Sequence, residues 1–178
     1  SSIGSVTIGS GNTASNYNFG VQGQGLSGAV YVDSNGNGSR DVGEPRIAGV
    51  SVTLSGTTAG AQNVCVVISP SPCTAVTDAN GNYEFLNLPA SNGAGYTLTE
   101  QSQATAPLTN YGDGTESVGT VAGTASGTAG NDVISGVVLG VGQLGVGYNF
   151  GERPAGLSGA TYIDLDNDGV RDAGEPGI

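Results

Sequence analysis

Through the middle of the chain, apolar side chains alternate with small polar ones at a spacing of two. Val50, Val52 and Leu54 form one such run, Tyr83 and Phe85 a second, Tyr96 and Leu98 a third. Successive side chains of an extended chain point to opposite faces, so each run predicts a half-buried β-strand. Turn chemistry separates the runs: Asn80-Gly81 ahead of NYEF, Asn92-Gly93 ahead of YTLTE, with Pro89 and Pro107 as stops. The second Asn-Gly pair predicts a hairpin joining the Tyr83 and Tyr96 strands. Strands about 8–15 residues apart with no helical period imply an all-β sandwich. Residues 112–130 (GDGTESVGTVAGTASGTAG) break the pattern. They predict either a long surface excursion or thin edge strands.

The chain also repeats itself. Residues 17–47 and 148–178 align without a gap and agree at 18 of 31 positions. YNFG recurs at 17 and 148, GLSGA at 25 and 156, and RDxGEP at 40 and 171. The match runs backwards as well, with Ile3, Val6 and Ile8 answering Ile134, Val137 and Leu139. On this phase, residues 1–24 are the last strands of a preceding module plus a short linker. Residues 25–151 form one complete module, and 152–178 hold a linker, a first strand and a loop of the next. The chain reads as a window cut from a tandem array.

The repeat carries the most specific chemistry. DSNGNGSRDVGE (33–44) and DLDNDGVRDAGE (164–175) both match Asp-x-[Asp/Asn]-x-[Asp/Asn]-Gly-x5-Glu, the spacing of a calcium loop. Calcium takes six to eight hard oxygens, so the chain must curl and turn every second side chain inward. The expected ligands are Asp33, Asn35, Asn37, the Ser39 carbonyl, Asp41 and Glu44. In the second copy they are Asp164, Asp166, Asp168, the Val170 carbonyl, Asp172 and Glu175. Gly38 and Gly169 supply the reversal at the sixth position. Pro45 and Pro176 follow the last ligand directly, which argues against the helix that usually continues such a loop. An acidic surface turn is the bland alternative, and magnesium, with its tight octahedron, the lesser rival cation. The second loop has five carboxylates to the first loop's three, so it is expected to bind more tightly when its whole module is present. Asp78, in TDANG, is either a turn former or a ligand of an additional ion. Asp113 and Glu116, in GDGTE, either complete a cation site or are solvated loop acids, and the second reading is favoured.

Charge sharpens this picture. The net charge is −11, and the two loops hold eight of the fifteen acids. Such a chain repels phosphates and anionic lipid heads, which excludes nucleic acid and anionic membrane surfaces as partners, and it attracts divalent cations. There is no apolar run long enough for a membrane helix. The chain has neither His nor Lys, and no GxSxG elbow, so the usual nucleophile–base pairs are missing and it is read as no enzyme. Cys65 and Cys73 enclose VVISPSP without metal-ligand or redox spacing. A disulfide is favoured over two free thiols, and with it an oxidising compartment.

GLSGAVYVDSNGNGSRDVGEPRIAGVSVTLSG, then TDANGNYEFLNLP, GYTLTE and a closing YNFGE resemble the SdrD B-like repeats of bacterial surface adhesins. The resemblance implies a prealbumin-like, Cna-B-type β-sandwich outside the cell, with calcium after the first strand. It also implies a stalk of stacked copies, so neighbouring copies of the module are the expected partners, in a covalent array or a head-to-tail polymer. Related Cna-B domains carry a Lys–Asn isopeptide crosslink assisted by an acid. Glu100 matches the acid's place, but without Lys that crosslink cannot form. The expected function is therefore a calcium-stiffened structural repeat of a surface stalk or filament, its loop bracing each module against the one before. The alternative is a ligand- or glycan-binding adhesin module using loops 57–75 and 101–130.

Overall fold

The computed structural model describes residues 23–68, 73–156 and 159–178, with positions 4, 7–11, 13 and 15 ahead of them. Ile3, Val6 and the first YNFG, read as ending a preceding module, lie outside the described residues. The strands are β1 (Gly25–Val32), β2 (Ser51–Thr58), β3 (Thr74–Val76), β4 (Asn82–Leu86), β5 (Ser91–Glu100) and β6 (Tyr111–Asp113). They continue with β7 (Thr120–Val121), β8 (Thr124–Ala125), β9 (Thr128–Gly130), β10 (Val133–Val137) and β11 (Leu144–Pro154). One helical turn, α1 (Val64–Val67), follows β2. No helix among the described residues is long and apolar enough to cross a membrane.

Two sheets form the sandwich. The first runs β4-β1-β11-β7-β8, with β6 also on β11; the second runs β3-β2-β5-β10-β9. The alternation read from the sequence is the burial pattern. In β4, Tyr83 and Phe85 are buried while Asn82, Glu84 and Leu86 face out. Leu26 and Val30 of β1, Tyr148 and Phe150 of β11, and Val52, Leu54, Tyr96, Leu98 and Ile134 of the second sheet complete one core.

The Tyr83 and Tyr96 strands do not form a hairpin. β4 pairs with β1 and β5 with β2, so the chain between them crosses from sheet to sheet. The Asn92-Gly93 pair is a bulge inside β5. Ser91 faces Thr58 and Tyr96 faces Gly56, which leaves residues 92–95 opposite Thr57 alone. The Asn92 carboxamide oxygen accepts the Ala94 N–H at 3.1 Å, satisfying locally what the ladder does not. Residues 112–130 supply thin edge strands for both faces: β7 and β8 on the first sheet, β9 on the second. Val121 is the one large side chain this segment buries.

β1 and β11 run parallel, with Val32 beside Glu152. This decides where the first loop sits. In sequence it opens just after the junction with a preceding module. In space β1 carries it about 26 Å along the sandwich, at about 3.3 Å per residue, to the end where β11 leaves. β11 itself continues past the expected boundary at 151 to Pro154, and Glu152 is fully buried within it.

Candidate metal centre

The loop 33–44 is closed like a purse. Below it, Tyr31 pairs with Arg46, and the Val32 N–H donates to the Pro45 carbonyl at 2.8 Å. Asp33, only 2 % exposed, accepts the Asn37 N–H at 3.1 Å on Oδ1 and the Gly38 N–H at 2.9 Å on Oδ2. Gly38 has φ +70°, the left-handed turn its place in the motif demands. Glu44 closes the other end, with Oε1 accepting the Ser34 N–H at 3.0 Å and Oε2 the Asp41 N–H at 2.9 Å. The Asn35 and Asn37 amides converge on Asp41 Oδ2 at 2.9 and 2.8 Å. Those two hydrogen bonds hold the Asp41 carboxyl below the usual carboxylate range.

The structure therefore gathers the side chains of Asn35, Asn37 and Asp41, while those of Asp33 and Glu44 hold the loop's backbone N–H groups. They are hard oxygens and amides, and Arg40, the one cation within the loop, turns away to Asn82 Oδ1 at 3.0 Å. This donor set fits calcium. Asp33, Asn35, Asn37, Asp41, Glu44 and the Ser39 carbonyl would hold the ion, and its two positive charges would offset most of the charge on the three carboxylates. Tyr31, packed beneath them, shows the field these make: burial first, then Asp33, Glu44 and Asp41, push its hydroxyl up to about 12.

The second loop repeats the frame. Asp164 accepts the Asn167 N–H on Oδ1 and the Gly169 N–H, at 3.0 Å, on Oδ2; Glu175 accepts those of Leu165 and Asp172 at 2.8 and 2.9 Å. Bonding by the Gly169 N–H, partly opposed by desolvation, leaves the Asp164 carboxyl below its usual range. Asp164, Asp166 and Asp168 each bring a carboxylate oxygen within 4.8 Å of the others. Val170 donates its N–H to Asp168 Oδ1 at 2.7 Å.

Asp78 stands elsewhere. Its Oδ1 accepts the N–H groups of Asn80 and Asn82 at 2.8 and 2.9 Å, which shapes the Asn80-Gly81 turn, and its charge acts on Arg40. Cys65, in α1, is disulfide-bonded to Cys73 ahead of β3, with Cα atoms 5.3 Å apart.

The sequence favours solvated loop acids at Asp113 and Glu116 and does not single out Asp132 or Glu152; the structure gathers them at the exit end. Asp113 and Glu116 are half-buried and join Asp132, Glu100 and Glu152. Glu100 and Glu152 are 4 % and 0 % exposed. Burial and the neighbouring Glu152, Asp132 and Glu116 carboxyls push Glu100 up to about 10. As carboxylates the two have no hydrogen to share, so without a cation they bond only by holding a proton between them. A raised carboxyl pKa contributes stability that is complete below the ordinary value near 4.5. That stability is lost as pH rises from there toward about 10. In chelator the melting temperature should therefore fall across that window, and the slope should flatten in Glu100→Gln. Arg153, which favours the Asp113 carboxylate, only softens the effect.

An all-β sandwich, with an acidic oxygen-donor loop where β1 meets the end of β11, defines a β-module built around a candidate cation loop. The chain belongs to the SdrD B-like domain family, whose model matches residues 24–137. No curated protein matches the chain. The family's members are structural modules of cell-surface adhesins and not enzymes.

Proposed function

We propose that this chain is a calcium-stiffened repeat of an extracellular surface stalk or filament, with the loops at 33–44 and 164–175 as its calcium sites. The observation that carries this reading is one hydrogen bond. The Asp33 N–H donates to the Glu152 carbonyl at 2.8 Å, which ties the first ligand of the loop to the strand that leads out of the module. An ion there would stiffen the exit of its own module toward the next copy, where sequence order alone points to the entry. Neighbouring copies are the natural partners, since residues 148–178 begin the repeat again.

Melting in excess calcium and in chelator tests this. At calcium 100-fold above its Kd, one ion bound only by the folded chain adds about 2.7 kcal/mol. For a domain of this size that raises Tm by about 5–10 °C. Coincident melting curves would remove the calcium role. Equal maximum dimensions of a two-module chain, by scattering in the two conditions, would remove the stiffening role alone.

A further inference from the structure

We propose that Glu100, Asp113, Glu116, Asp132 and Glu152 form a further calcium site, separate from either loop, that clamps the two sheets together at the exit end of the sandwich. Glu100 ends β5 and Asp132 sits in the turn between β9 and β10, both in the second sheet. Asp113 ends β6 and Glu152 lies in β11, both in the first. Glu116 follows β6 and reaches across, its Oε1 accepting the Asp132 N–H at 3.2 Å.

The group is compact. Asp113, Glu116 and Asp132 each place an oxygen within 4.8 Å of the others. Asp113 lies directly opposite Glu152 in the antiparallel β6–β11 register. The Gln103 amide ties Glu152 to Asp132, donating to Asp132 Oδ1 at 3.0 Å and to both Glu152 oxygens at 3.3 Å. The Glu100 N–H donates to the Asp132 carbonyl at 2.9 Å. Two oxygens on one calcium, each at 2.3–2.6 Å, lie at most about 5 Å apart, whereas the tighter magnesium shell allows only about 4.2 Å. Oxygens within 4.8 Å of one another lie inside what one calcium ion can hold.

A second observation points to a ligand independently of the acidity. Both carboxylate oxygens of Glu100 are buried with no hydrogen-bond partner, and so is Asp113 Oδ1. Glu100 is aimed into the group, in carboxyl–carboxyl contact with Glu152. A buried carboxylate without a donor is costly, and the Gln103 and Asn131 amides and the nearby backbone N–H groups leave Glu100 without one. A divalent cation held by Asp113, Glu116 and Asp132 would supply the missing positive partner beside Glu100 and Glu152. The Glu152 backbone also receives Asp33, so this site and the first loop adjoin at one end of the module.

The test uses the full chain and calcium itself. Calorimetry should count three calcium ions per wild-type chain and two in the isosteric double variant Glu116→Gln, Asp132→Asn. If the loops do not bind, the counts become one and none, so the two readings fail separately. An unchanged count in the double variant, folded by circular dichroism, overturns the proposal. A second variant keeps it falsifiable. In Glu100→Gln, removal of a buried acid should raise Tm in chelator by about 5 °C or more. Calcium affinity of the site should fall at least about tenfold, so the gain should vanish or reverse in calcium. The same gain in calcium and in chelator would mean a buried acid pair and no ion.

Discussion

Gly28→Ala is expected to unfold the sandwich at ordinary temperature, or to cost at least about 4–5 kcal/mol where it still folds. A Cβ built on Gly28 falls 1.6 Å from the Tyr148 carbonyl oxygen and 2.8 Å from the Tyr83 hydroxyl. Ordinary carbon–oxygen contact needs about 3.3 Å. The reason lies in the β1–β11 register, which slips between Leu26 and Gly28 so that Tyr148 swings its carbonyl into the space a side chain would fill. The Tyr83 hydroxyl, buried among the core, donates to that carbonyl at 2.7 Å. A methyl group must push the two central strands of the first sheet apart or break this bond, which leaves a buried donor and acceptor unpaired at about 1–3 kcal/mol. Typical domains have only about 5–15 kcal/mol to lose. Tyr83→Phe should not rescue the variant, because the primary clash is with backbone. Gly93→Ala, with open space around its Cβ, is the matched control and should change stability by about 0.5 kcal/mol or less. Urea midpoints for the three variants check this, and a Gly28→Ala chain as stable as Gly93→Ala would refute the packing account.

The same glycine shows where sequence reading stops. GLSGA is plainly a repeated motif, but nothing local says that its second glycine is needed by a carbonyl 120 positions away. Local chemistry was legible. Period-two burial of Tyr83 and Phe85 follows from the pleat, and the left-handed turn at Gly38 from the glycine its place in the loop requires. Pairing was not. Asn92-Gly93 has the composition of a hairpin turn and serves as a bulge, because β5 had already committed to β2. The parallel β1–β11 ladder moved the first loop to the exit end, which no count along the chain reveals. The carboxyl group around Glu100 was scattered over some fifty residues, from Glu100 to Glu152, so Asp113 and Glu116 read as loop acids in preference to a cation site, Glu100 as a family position, and Asp132 and Glu152 not at all. Only the closing of the two sheets makes them neighbours.

Asp33→Ala and Asp164→Ala remove the same ligand from the same hydrogen-bond frame, yet their effects on stability should differ widely. Without its carboxylate, Asp33 no longer accepts the Asn37 and Gly38 N–H groups, and calcium at that loop is lost. The unpaired donors and the missing ion together should cost about 3–5 kcal/mol in calcium. Asp33 is buried, follows β1 directly and bonds β11 through its own N–H, so slackness in the loop is transmitted to the paired centre of the first sheet. Asp164→Ala frees the N–H groups of Asn167 and Gly169, but these are exposed to water, which takes them up. Among the described residues, the second loop's backbone hydrogen bonds stay within 161–178. Its loss should therefore change global stability by about 0.5 kcal/mol or less while removing one bound calcium. Urea unfolding paired with calcium counting separates the two. If both variants lose one ion and equal stability, the first loop is a passive site like the second. If only Asp33→Ala destabilises the sandwich, the ion there acts on the fold, through the strand that joins one module to the next.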